Sequence, residues 1–409
     1  MHTILLTPQD TLFFHDARPM SGSLMGHTAY WPLPNIFNHA LRSAFHRAEL
    51  NQRATSEKYG SLITAGPFPV SPEGVWFLPA PADLVKDDTG DSAVKVGTRL
   101  VKSGNPSSLP KPLTYALGAT TPPSKYGQLP AWITAAAYRK YLAGEMPALN
   151  DFKACTDIGD TESRIGIGID PDTQAQDGES IYSAQYLRLY DGWQIGGFAA
   201  ASYTKSGDQI KTLLEKENNI VIGGQQGICS ISGKFDDAQS DCLAGLSACA
   251  EINSRFIKWA LLAPAVFPEI APDESRNIRS HPGGWLPNWI DPENGKVLLR
   301  ETTERRQSES RADWRKRVRE SAEISGRLIA ARIPDAIEIS GWSLLELEAK
   351  PTQLAVPAGA VYYFECADKS AAQKLAVALN FPNRRSTLWG EKGFGIGVCA
   401  PVAESEILK

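Results

Sequence analysis

The 409-residue chain is 42% hydrophobic and 22% charged, with 42 Lys and Arg against 46 Asp and Glu, a formal charge of −4. That balance excludes a strongly basic nucleic-acid binder and leaves local nucleic-acid contact open, because affinity follows clustered cations. The longest apolar run, Trp259 to Phe267, is far too short to span a bilayer, and the opening MHTILLTPQD has no basic, apolar leader. The six cysteines (Cys155, Cys229, Cys242, Cys249, Cys366 and Cys399) form no C-x-x-C pair and no zinc-like spacing. They fit a reducing, cytoplasmic setting without membrane, metal or cofactor. The length suggests two domains, or one large domain with insertions.

A first strand is expected over residues 3–14, TILLTPQDTLFF, followed by a loop from Asp16 to His27 that contains Gly22. A helix follows from about Asn35 to Glu49. At ~100° per residue, Ile36, Phe37, Ala40, Leu41, Ala44 and Phe45 share one half of its wheel, and His39, Arg42 and His46 the other. Residues 60–130, rich in Pro and Gly, read as an irregular insertion with short strands. RIGIGID, IYSAQYLRLY and GWQIGGFAAAS read as strand-like material that closes a first domain near residue 205, with a close-approach turn at Gly166 and Gly168.

A short helix around 208–217 then leads to NIVIGGQQG, a strand ending in a glycine turn that contains Gln225. RFIKWALLAPAVFP opens the main sheet of a second domain, 206–409. Residues 300–323 hold eight basic and six acidic side chains, which suits a solvated helix laced with salt bridges. VYYFECA is a strand, and Asp368 or Ser370 caps a helix over SAAQKLAVALN. TLWGEKGFGIGVCAPV is a glycine-rich turn into a last strand. Strand–helix–strand at both ends of the chain is half of a ferredoxin-like βαββαβ unit, so the expected class is α+β with two such domains.

Three groups of residues could carry chemistry. Gly390, Gly393, Gly395 and Gly397, with Lys392 and Phe394 between them, suit either a backbone approach to phosphates beside a stacking ring or a tight turn needing glycine for shape alone. His2, His15, His27, His39 and His46 suit either general acid–base cleavage of RNA or a polar surface. Trp31, Trp285, Trp289, Trp342 and Trp389 lie near Gly or Pro, where they stack on bases or fill cores.

LTPQDTLFFHDARP with PNIFNHALRSAFHR resembles the opening of the RAMP superfamily of CRISPR RNA-binding proteins. SRIGIGIDPDTQ, IYSAQYLRLY, IGGQQG, ISGWSLLELEAKP, VPAGAVYYFE and WGEKGFGIGV follow in the order seen in the third subunit of the type III-B Cmr effector complex. The resemblance implies a non-catalytic subunit that holds the single-stranded 5′ repeat-derived tag of the CRISPR RNA. It also implies contacts with the large polymerase-like subunit and a backbone subunit. His15 stands where that family usually carries Arg, and His39 lies near a usually small residue. Carried onto this chain, the RNA-binding positions are His15, Arg18, Gly22, Arg42, Arg164, Gly166, Gly168 and Gln225, with Lys392, Gly393, Phe394, Gly395 and Gly397 as a second wall. The other functional class kept open is a metal-independent repeat endoribonuclease using the N-terminal histidines.

Overall fold

The computed structural model describes residues 1–14, 25–26, 28–48, 62–86, 94–96, 99–102, 109–118, 129–169, 172–203, 207–234, 251–276, 278–301, 309–343, 348–404 and 407–408. It is an α+β protein whose two largest sheets are antiparallel. The elements used below are β1 (His2–Pro8), α1 (Pro34–Arg47), β2 (Leu62–Val70), α2 (Ala135–Leu142), β3 (Gly159–Ile169), β4 (Gln176–Leu189), β5 (Gln194–Tyr203), α3 (Gln209–Lys216), β6 (Asn219–Ile222) and β7 (Gly227–Lys234). The second half adds β8 (Phe256–Leu261), α4 (Arg311–Glu320), β9 (Gly326–Arg332), β10 (Val361–Cys366), α5 (Lys369–Leu379) and β11 (Gly397–Pro401).

The first sheet runs in the order β2-β5-β1-β7-β6. Its centre is β1, with Leu6 opposite Ile195 on β5 and Pro8 opposite Cys229 on β7. Strand alternation sends Ile4 and Leu6 to one face, where they meet Phe37, Leu41, Ala44 and Phe45 of α1 and Ile210 and Leu213 of α3. The apolar half of α1 is as expected from its spacing. Pro34 opens the helix, where its missing N–H costs nothing.

LITAGPFPV, expected inside an irregular insertion, is instead β2, an edge strand of this sheet. Pro67 and Pro69 hid it, because a proline cannot donate to a ladder; an edge strand paired on one side tolerates both. The true insertion begins after Val70. Trp76, Leu78, Leu84, Ile133, Tyr138 and Tyr141 from it form one core with Phe68 and Phe198 of the first sheet and Phe256, Ala260, Val361, Tyr363 and Val398 of the second. The insertion is thus a wedge between the sheets, and Trp76 stacks on Phe198 at 5.0 Å.

The second sheet runs β9-β10-β8-β11. Its other face, with Ile257, Trp259, Tyr362 and Phe364, packs on Ala372, Leu375, Ala376 and Leu379 of α5. The Asp368 carboxylate caps α5, accepting from the Ala371 N–H at 2.7 Å. Burial on both faces explains why FIKWAL reads as nearly continuous apolar sequence. The wedge is pinned to this sheet by a buried polar cluster. Asp83 is fully buried and accepts from the hydroxyls of Tyr141 (2.7 Å) and Tyr363 (2.7 Å). Lys258 Nζ lies 3.3 Å from Asp83 and 3.6 Å over the Tyr141 ring. Burial, followed by the Asp83 charge, pushes the Tyr141 hydroxyl well above its ordinary pKa and keeps it a donor.

Two further expectations change. The opening strand stops at Pro8, and Leu12 and Phe13 leave the sheet to bridge Leu187 and Gly224. RIGIG is not a turn: Arg164, Gly166 and Gly168 are strand residues of β3, with Gly166 opposite Tyr182 in the long β3–β4 hairpin. Ile165, Ile167, Ile169 and Ile181 of that hairpin are exposed. No helix among the described residues is long and apolar enough to cross a membrane.

Candidate nucleic-acid interface

Where β1 ends, three segments converge on a groove of about 400 Å³: Gln9–Phe13, the strand pair carrying Arg164 and Tyr186, and the turn between β6 and β7. Backbone bonds fix the convergence. Gln9 N–H donates to Ile228 O (3.0 Å), Leu12 and Leu187 exchange bonds of 2.8 Å, and Gly224 N–H donates to Phe13 O (2.8 Å). Phe13 and Tyr186 lie 5.4 Å apart as a tilted aromatic pair, and the Arg164 guanidinium sits 5.0 Å over the Tyr186 ring.

Arg164 is also one corner of an ionic quartet. It donates to Glu162 at 2.9 Å and reaches Asp10 at 3.5 Å, while Arg188 pairs with Asp10 at 3.0 Å and with Glu162 at 2.7 Å. Hydrogen bonds from Arg164, then Arg188, hold the Glu162 carboxyl below the usual carboxylate range. The Thr11 backbone N–H does most of the same for Asp10. All four side chains are substantially exposed, so water screens the pairs and their net stabilisation is small. Their effect is geometric: the guanidinium is held against Tyr186, with its charge already met by carboxylates.

The turn over this groove is strained. Gln225 and Gln226 have φ of 54° and 53°, a left-handed conformation that costs a non-glycine residue roughly 1–2 kcal/mol. Glycine is required beside them: at Gly223 (φ 75°) a Cβ would lie 2.5 Å from Phe13 O, and at Gly227 a Cβ would meet Ile222 O and the Leu12 side chain at 2.9 Å. Both glutamine amides are exposed at the groove rim. Strain of this kind, at residues whose side chains are exposed, clusters in functional loops.

The loop from Trp389 to Gly397 is built differently. Phe394 is fully buried with Val266, Ile339 and Ala355, and Trp389 packs against it at 5.5 Å. That gives the ring a packing role in place of the exposed stacking surface expected for it. Lys392 is also buried. A Cβ at Gly393 (φ 97°) would press on Thr64 O, one at Gly395 (φ 69°) would overlap Ser386, and one at Gly397 would overlap Trp259. The loop therefore seats against β2, at the opposite edge of the first sheet from the β6–β7 turn. The loop expected as a second wall and the β6–β7 turn are three to four strands apart, about 14–19 Å at ordinary strand spacing.

A model of the family described as CRISPR-associated protein (Cas_Cmr3) matches residues 4–400. The chain belongs to that family. Solved structures with a similar course include a chain of a type III-B Cmr-beta complex bound to cognate target RNA and AMPPnP (14% identity, 90% of this chain and 86% of that one, TM-score 0.43). Another is a chain of the Csm3–Csm4 subcomplex of a type III-A interference complex (10% identity, 90% and 93%, TM-score 0.37). No curated protein matches the chain.

In this Cmr-type CRISPR protein, the structure unites Arg164 and Gln225 at the groove. Arg42 is half-buried on α1. His15, Arg18 and Gly22 lie outside the described residues, as does His27. His39 and His46 are exposed on α1, seven residues apart. Sequence reasoning passed over Asp10, Phe13, Glu162, Tyr186, Arg188 and Gln226. The alternation in IYSAQYLRLY signals that Tyr186 and Arg188 share a face; what it lacks is the register that sets them beside Asp10.

Proposed function

We propose that the protein is a non-catalytic, cytoplasmic RNA-binding subunit of a type III-B Cmr effector complex, and that it holds the single-stranded 5′ tag of the CRISPR RNA. The carrying observation is the groove at the end of β1. The Arg164 guanidinium over the Tyr186 ring, with buried Phe13 tilted against that ring and two strained, exposed glutamine amides beside it, suits an unpaired base, which stacks on flat π-surfaces and is read by amides along its edge. Because Arg164 is already paired, its role is a flat platform rather than a bare charge for phosphate.

The two sheets support the ferredoxin-like reading. In each, the first strand lies between the third and fourth, with the second outside the third. In the second unit an irregular stretch carrying the solvent-facing α4 stands where the first helix belongs. Bridging to the large and backbone subunits is supported by the exposed isoleucines of the β3–β4 hairpin, since contiguous apolar surface marks contact sites.

The test is assembly of the complex with Tyr186→Ala and Gln225→Ala in this subunit, followed by quantification of copurifying tagged RNA. Reduced occupancy with intact assembly is expected; wild-type occupancy overturns the assignment. Repeat RNA incubated with the protein in the absence of metal should remain whole, and cleavage would favour the ribonuclease.

A further inference from the structure

α4 is a helix with no buried residue. At ~100° per residue, Arg311, Arg315, Arg319, Ala312 and Lys316 occupy one arc of about 140° with no acid in it, and all five are exposed. Trp314, Arg317 and Val318 are half-buried on the other side. The helix is fixed at its start: Ser310 accepts from the Asp313 N–H, and Arg317 grips Glu309 through two bonds of 2.7 and 2.8 Å. Among the described residues, none of the four cations of the arc is in an ion pair with a carboxylate.

That arrangement works against the helix itself. Arg311–Arg315 and Arg315–Arg319 are like-charge pairs at i,i+4, and Arg311 sits in the first turn, where the backbone dipole favours an anion. Among the described residues nothing in the fold is gained in return, since all five side chains of the arc are exposed. A polyanion relieves both. The three arginines repeat every four residues, about 6 Å along the axis, comparable to the separation of neighbouring phosphates on one strand. The arc has no apolar side chain larger than Ala312, and so lacks the apolar centre typical of a protein interface.

We infer that α4 is a second RNA contact, a cationic rail for the phosphates of a single RNA strand, separate from the base-holding groove. The two sites would do different work: the groove selects, and the rail adds sequence-independent, salt-sensitive affinity.

The test uses the full chain, a fluorescein-labelled single-stranded uridine homopolymer RNA, and a salt series. The variants are the quadruple Arg311→Gln, Arg315→Gln, Lys316→Gln, Arg319→Gln protein and Tyr186→Ala. The quadruple variant should keep its unfolding transition, because none of the four side chains is buried. Its slope of log affinity against log salt should fall by about 2–3, as expected for four lost phosphate contacts on a single strand. Tyr186→Ala should weaken binding with the slope unchanged. An unchanged slope in the quadruple variant, with Tyr186→Ala still weakening binding, overturns the rail and leaves the groove standing; the reverse pattern upholds the rail alone. A quadruple variant that keeps its slope but drops a protein from the assembled complex assigns α4 to an acidic protein surface and overturns the inference. A wild-type chain that binds no RNA overturns both.

Discussion

In the Ile222–Gly227 turn the glycines lie against Phe13 and Leu12, and the two glutamines between them stand exposed in a strained backbone with their amides at a groove. In the Trp389–Gly397 loop they let the chain fold inward, so that Phe394 fills a core and Gly393 lies against the Thr64 carbonyl. Glycine is required in both for the same reason, a left-handed backbone or a neighbouring atom where a Cβ would lie, yet the two loops end differently. The residues between the glycines decide how: an aromatic drives one loop into the protein, and amides leave the other in water.

The comparison breaks most visibly at Gly395. Valine there would overlap Ser386 and need a left-handed backbone, so Gly395→Val should abolish a cooperative unfolding transition or shift it by about 3 kcal/mol or more in denaturant. If the variant folds normally and loses only RNA, the closed loop is a binding loop after all. Next in size is the cluster that pins the wedge beneath. Asp83→Ala strips a buried carboxylate from Lys258, Tyr141 and Tyr363 and should cost about 3–5 kcal/mol, read by the same unfolding measurement. Joint replacement of Asp83 and Lys258 by Leu and Met should recover much of that loss.

Changes at the open groove should spare the fold and weaken binding. Tyr186→Ala removes the stacking surface under Arg164 and should cost about 1–3 kcal/mol of RNA affinity, measured by titration. Gln225→Gly with Gln226→Gly should stabilise the protein by about 1 kcal/mol for each relieved residue, while RNA binding falls. A destabilised double variant would show that the turn packs more than its exposure suggests. The smallest effect concerns pH. Asp10 and Glu162 have folded pKa values below their unfolded ones, so their pairing contributes fully above the unfolded carboxylate range, near pH ~4, and is lost as pH falls through the folded values. RNA affinity should therefore be flat from neutral pH to about 5, and carboxyl titration by NMR should show both groups ionising below the usual range.

Much of the architecture was legible because its signals are local. The apolar half of α1, the Asp368 cap of α5 and the apolar run of β8 each follow from neighbours in the chain. β2 was not, since two prolines outweigh pattern until the strand is known to lie at an edge. The groove was half legible: Arg164 and Gln225 stand out, but Asp10, Phe13 and Tyr186 gain meaning only when Leu12 pairs with Leu187, partners 175 positions apart in the numbering. The C-terminal loop misled because glycine count alone does not reveal which way Phe394 points.

The most direct measurement is photocrosslinking of 4-thiouridine placed in the 5′ tag of an assembled complex, with mass-spectrometric mapping of the attached peptides. Crosslinks at Tyr186 or the Gln225–Gln226 turn are expected, with none on Trp389–Gly397. Crosslinks confined to Lys392 and Phe394, with the Gln225 turn unmarked, would contradict the assignment of the open loop to RNA.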